Sequence, residues 1–460
     1  MAHLDNPKLP KVHSYVDVPV PVAVVKTILT KSVDELALDF ETSPSVSILV
    51  HLVDVFEPSI ASSILNSANL SLSKAGVIFD HPNLSEARAE EIWHHPNLTR
   101  RLDILKYAAK QAKYLYPAEY QVTKVAAITG DGDIDGPRDC RFDPTGTYIA
   151  VAAEYVNSIV VYEFDKSAGT LTKLVKVTGD ADIDIATGVD WNTDGDRIAV
   201  CGRGADSIKV FAFDPATPSL TGVAAITGDA DIEGAYACRF NHAGDRIAVV
   251  GYKADSIVVY AFDKAAGTLS KVVAVTADPD IDETFDCAWS PNDNYIAVVG
   301  RNANSLVIYK FDKAAGTLTK VAKLVGVSES GLDYPWGVAW VGDYIVASGY
   351  GNDAVGVFKF DPATNTLERL ALLTDVEEIG GALRVDFDPT LQRVVVAGWD
   401  EHSVYAFSFA QPNKLEKLHG VTGDADINTP SGVSLNPDGD RIAVTGWLAD
   451  SIVVYSIGRP

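Results

Sequence analysis

A unit of just under 50 residues recurs seven times along the chain, and this periodicity limits the possible folds more than any other feature. The residue ending the first apolar segment of each unit is Phe142, Trp191, Phe240, Trp289, Trp340, Phe387 or Leu435, at intervals of 49, 49, 49, 51, 47 and 48 residues. Each unit carries short Val-, Ile-, Tyr- and Phe-rich segments, which read as strands. Turn signals separate them, such as Asp143-Pro144-Thr145-Gly146 after the first strand and Asp263-Lys264-Ala265-Ala266-Gly267-Thr268 after the third. Four short strands per unit predict a propeller blade. The last unit stops after its third strand, Ser451–Tyr455, and the missing outer strand lies ahead of the first unit at Val122–Ile128. Val125-Ala126-Ala127-Ile128-Thr129-Gly130-Asp131 repeats as Val223-Ala224-Ala225-Ile226-Thr227-Gly228-Asp229 from an interior unit. The expected fold class is therefore mainly β, a seven-bladed β-propeller whose two ends pair so that no sheet edge stays open.

The repeat motifs are a proline–glycine turn, then Arg246-Ile247-Ala248-Val249, Ser256-Ile257-Val258-Val259-Tyr260 and Phe262-Asp263-Lys264-x-x-Gly267-Thr268-Leu269. In these the chain resembles the lactonase-like, or YVTN-type, propellers over roughly residues 120–460. The motifs are scaffold residues. The residues that serve lactonase-type propellers as catalysts cannot be matched here position by position, so the resemblance implies the fold and not the activity.

Three regions are expected. Residues 1–43 carry Pro7, Pro10, Pro19 and Pro21 and read as an extended arm. Residues 44–118 hold a 14-residue repeat, in which Ile64–Ser71 returns as Ile78–Ser85 and Ile92–Thr99. Ser71, Ser85 and Thr99 fit as helix N-caps, predicting a short-helix docking segment. It resembles segments of bacteriophage structural proteins. Residues 119–460 are the propeller.

Charge narrows the partners. Of the net −24, residues 1–118 contribute −2 (13 acids, 11 bases) and the remainder −22 (49 acids, 27 bases). So acidic a propeller repels polyanions, and nucleic acid is not an expected partner. There is no basic n-region before an apolar run and no stretch near the roughly 20 apolar residues of a membrane span, so a soluble protein without a signal peptide or membrane insertion is expected. Cys140, Cys238 and Cys287 share one repeat position with Val189, Val338, Val385 and Val433, which marks them as core.

Two repeated positions are candidate sites. The loop entering each blade is acidic: Asp131, Asp133 and Asp135 recur as Asp180, Asp182 and Asp184, and in further copies. Alternating carboxylates are what Ca²⁺ uses, so these are candidate metal ligands, although no EF-hand glutamate follows. The bland reading is a solvated turn, with the intervening Ile134, Ile183, Ile232, Ile281 and Ile427 as anchors. No other cofactor is expected. The second set follows strand two: Glu154, Arg203, Tyr252, Arg301, Tyr350, Trp399 and Trp447. Its neighbours repeat while it varies among large groups, as in a rim that binds protein or sugar.

Catalytic patterns are absent: there is no Gly-x-Ser-x-Gly elbow, His-Glu-x-x-His pair, phosphate loop or Cys-x-x-Cys. His402, near Asp400 and Glu401, is the one plausible general base. The expectation is a non-enzymatic structural or interaction protein, docked through residues 1–118 to the subunits of a larger assembly. A virion component such as a phage decoration, appendage or tail-associated protein fits, with a glycan or receptor at the rim. The alternatives are a lactonase-like hydrolase with a cation near the channel mouth, or a glycan-binding propeller.

Overall fold

A computed structural model of the chain describes residues 121–388, 393–411 and 414–458. The expected arm (1–43) and short-helix segment (44–118) lie outside the described residues.

The described residues form seven four-stranded antiparallel sheets, six of them in chain order from the inner strand outward and the seventh completed by the strand that precedes the first blade. Blade 1 consists of Pro137–Phe142, Tyr148–Ala153, Ser158–Asp165 and Thr170–Val177. Blade 7 combines Pro430–Leu435, Arg441–Gly446 and Ser451–Gly458 with Gln121–Ile128 from before the first blade. Gln121 pairs with Gly458 and Ile128 with Ile452, which is the end-to-end closure expected from the sequence.

Apolar side chains on successive sheets interleave into one layer per blade interface. The layer between blades 3 and 4 holds Val250, Val259, Cys287, Trp289 and Tyr309, all buried. The four cysteines are free thiols within such layers. Each anchor isoleucine of the acidic loops is fully buried as well. Tryptophans ending the first strands also tie blades together, since Trp191 Nε1 donates to the Arg141 carbonyl and Trp289 Nε1 to the Arg239 carbonyl, both at 3.0 Å.

The first strand of every blade carries a β-bulge near its start. In six blades one residue is skipped in the register: Arg138, Thr187, Tyr236, Phe285, Leu383 and Ser431. In blade 5 the irregularity spans Trp336 and Gly337. A bulge re-aims a side chain, and here it does so beside the central channel. One residue further on the blades crowd together: a Cβ on Gly432 would lie 2.8 Å from the Cys140 amide nitrogen, so only glycine fits.

Candidate functional site: the channel mouth

The acidic loops and the loops after strand two share one face. In each blade the varied residue donates its backbone N–H to the incoming loop: Glu154 to Gly136 at 3.1 Å, Arg203 to Ile185 at 3.0 Å, Tyr252 to Gly234 at 3.2 Å and Arg301 to Glu283 at 3.2 Å. Tyr350, Trp399 and Trp447 bond likewise to Tyr334, Gly381 and Thr429, each at 3.1 Å. The rim residues are thereby fixed around the mouth.

Their side chains gather into two clusters. In the first, the Glu154 carboxylate is 3% exposed and accepts from Arg138 Nη2 at 2.8 Å, Trp447 Nε1 at 2.9 Å and Arg203 Nη2 at 3.3 Å. The Arg138 guanidinium lies 4.8 Å from the Trp447 ring centre and 6.0 Å from that of Trp399. Trp399 and Tyr155 pack on Trp447 at 5.4 and 5.8 Å. The buried carboxylate thus has three donors, and the guanidinium lies against an indole, although Arg138 Nε has no hydrogen-bond partner among the described residues.

The second cluster spans blades 3 to 5. Phe285 stacks on Trp336 at 4.1 Å and on Tyr252 at 5.7 Å, and Tyr236 meets Phe285 edge-on at 4.6 Å. Tyr350 packs on Trp336 at 6.1 Å. Arg301 lies 5.0 to 5.8 Å from the rings of Tyr334, Trp336 and Phe285, with Glu283 paired to it at 2.8 Å. The bulged residues Arg138, Tyr236, Phe285 and Trp336 complete both clusters.

Beneath the rings, charged side chains from four blades cross the axis. Arg239 of blade 3 pairs with Asp139 of blade 1 at 3.4 Å and with Asp286 of blade 4 at 2.7 Å. Arg384 of blade 6 pairs with Asp286 at 2.7 Å and faces the Tyr236 ring at 5.8 Å. Asp139 is fully buried, and Asp286 and Arg384 are 1% and 2% exposed, so this knot fills the channel. Burial pushes the Asp139 carboxyl up, but Arg141, Arg384 and Arg239 outweigh it and hold it below the usual carboxylate range.

The acidic loops hold lysine rather than an open oxygen cage. Lys173 Nζ lies 2.6 Å from both Asp131 and Asp133, and Lys209 lies 2.7 Å from Asp180 and 2.8 Å from Asp182. The same clamp joins Lys271 to Asp229 and Asp231, Lys320 to Asp278 and Asp280, and Lys124 to Asp424 and Asp426. Tyr162 donates its phenolic O–H to Asp131 at 2.7 Å. Of the third carboxylates, Asp184 accepts from Asn157 at 2.8 Å, while Asp135 lies against Asp450 and Glu154. The ammonium occupies the space between the first two acids, and no group of three or more His, Cys, Asp or Glu among the described residues is arranged for a metal. His402 Nδ1 accepts the Thr429 N–H at 2.9 Å, which gives it a loop-pinning role.

Sequence reasoning found the rim and missed its partners in the bulges and the knot. A signal was available in the first strands, where the third and fifth positions vary among Asp, Arg, Gly, Ala and Ser while the fourth and sixth stay apolar. No helix among the described residues is long and apolar enough to cross a membrane.

The family described as lactonase, 7-bladed beta-propeller, matches residues 120–281 and 227–332. No curated protein gives a significant match. The seven closed blades of the propeller agree with the architecture that this family's description names, and over residues 120–332 the chain is similar to that family.

Proposed function

We propose that the chain is a non-enzymatic interaction protein whose propeller presents its mouth face to a partner. One observation carries this reading. The four exposed large hydrophobic side chains among the described residues are Tyr155 (60%), Leu448 (58%), Val327 (42%) and Tyr334 (40%), and all stand on mouth-face loops. Exposed apolar groups collected on one face mark interaction surfaces. Beneath them the rim side chains are already paired and stacked, so the face is held rigid before a partner arrives.

The 14-residue sequence repeat supports a docking role for residues 44–118 in a larger assembly. A virion appendage or decoration is the setting that its resemblance suggests. Sedimentation velocity tests the docking role: the full chain is expected to assemble while residues 119–460 alone stay monomeric. Two monomers would refute it. Lactone turnover abolished by Glu154→Gln would replace the whole reading with a hydrolase.

A further inference from the structure

The face opposite the mouth carries a cavity of about 530 Å³ around the propeller axis. Its lining includes Phe142, Trp191, Phe240, Phe387 and Leu435 at the ends of the first strands, and Asp190 and Asp386 reach it from the fifth position of those strands in blades 2 and 6. Its volume falls in the range of small-molecule sites, and its lining mixes apolar and polar groups. Asp190 accepts the Phe240 N–H through Oδ2 at 2.8 Å, and its other oxygen has no hydrogen-bond partner among the described residues.

Counter-charge is short here. Asp386 accepts backbone N–H groups from Phe387 and Leu435, each at 2.8 Å. Arg141 comes no closer to it than 3.9 Å, outside hydrogen-bonding range. Arg239 is committed to Asp139 and Asp286. The remaining charged or titratable lining groups are Asp143, whose oxygens serve its own turn, His242, bonded to Asp293, and Asp388. Burial pushes the Asp190 carboxyl up to about 6 and raises that of Asp386, against the opposing pull of Arg239 and Arg141.

We propose that this cavity is a second binding site, for a small ligand carrying one ammonium group on an apolar, ring-sized body. The ammonium would donate to the free oxygen of Asp190, with the body against the apolar part of the lining. A divalent metal fits poorly, since hard cations need six or more oxygens and rings supply none. The site lies on the face away from the proposed partner surface, so either reading can fail without the other.

The test is isothermal titration of the full chain with benzylammonium, and with benzyl alcohol and benzoate as its neutral and anionic analogues. One benzylammonium should bind per chain, at least about tenfold more tightly than benzyl alcohol, the margin a charge-assisted hydrogen bond supplies. Asp190→Asn, which keeps an acceptor for the Phe240 N–H, should erase that preference, and Asp386→Asn should weaken it. No binding up to millimolar ligand, equal affinity for benzyl alcohol, or an unchanged preference in a folded Asp190→Asn chain would overturn the proposal. The comparison of analogues on the unaltered chain decides even if a variant does not fold.

Discussion

The two faces of the propeller are built from the same repeat by opposite means. On the face of the turns between strands one and two, one device recurs. Asn192, Asn241 and Asn436 each accept two backbone N–H groups through Oδ1, and Asp143 does the same in blade 1. The turn charges are solvated pairs such as Lys264–Asp194, with the aspartate 68% exposed. On the mouth face the lysine clamps recur, but the rim positions differ from blade to blade, and their side chains also make contacts across blades, such as Glu154 with Arg203 and Trp447. Repetition therefore secures the closing turns, and departure from repetition builds the surface that is particular to this chain.

Breaking the knot beneath the mouth should give the largest effect. Asp286→Asn leaves two buried guanidinium groups short of charge, and losing one partner of a buried ion pair costs about 3–5 kcal/mol. The denaturant midpoint should drop accordingly. Asp194→Asn on the turn face should stay within about 0.5 kcal/mol. Equal losses would erase the distinction between buried and solvated charge.

A smaller effect separates the faces by pH. In the mouth loops, burial pushes Asp131, Asp229, Asp278 and Asp424 up, but lysine and tyrosine hydrogen bonds outweigh it and hold them below the usual carboxylate range. They bind fewer protons folded than unfolded, so their stabilisation is present above roughly pH 4 and is lost as pH falls through their folded values. Asp190 has the opposite sign. Its contribution is complete below roughly pH 4 and is lost as pH rises through about 6. Unfolding midpoints measured from pH 3 to 8 should thus show an acid limb that Lys173→Met shallows. They should also show a decline between about pH 4 and 6 that Asp190→Asn removes.

How much of this could be read in the sequence follows from where each partner lies. The blades, their number and the closing strand were legible because each depends on residues within one repeat, or on the same segment found twice. The rim was legible as a varied position among repeated ones. The lysine clamps were harder, since each joins a loop to a distant strand, although an offset of 42 residues recurs for Asp131–Lys173, Asp229–Lys271 and Asp278–Lys320. For the metal reading of these loops, lysine was the piece that carboxylate spacing alone could not supply. The knot was least legible, because Asp139 and Arg239 lie 100 residues apart and meet only once the ring has closed.

Site-specific photo-crosslinking tests the central claim most directly. A benzophenone side chain is placed at Tyr155 or Leu448 on the mouth face, and at Thr193 or Ala265 on the turn face, in the full chain within its native cells. The account predicts that one and the same protein is captured from Tyr155 and Leu448, and none from Thr193 or Ala265. Capture from the turn-face positions alone, or from none of the four, would contradict it.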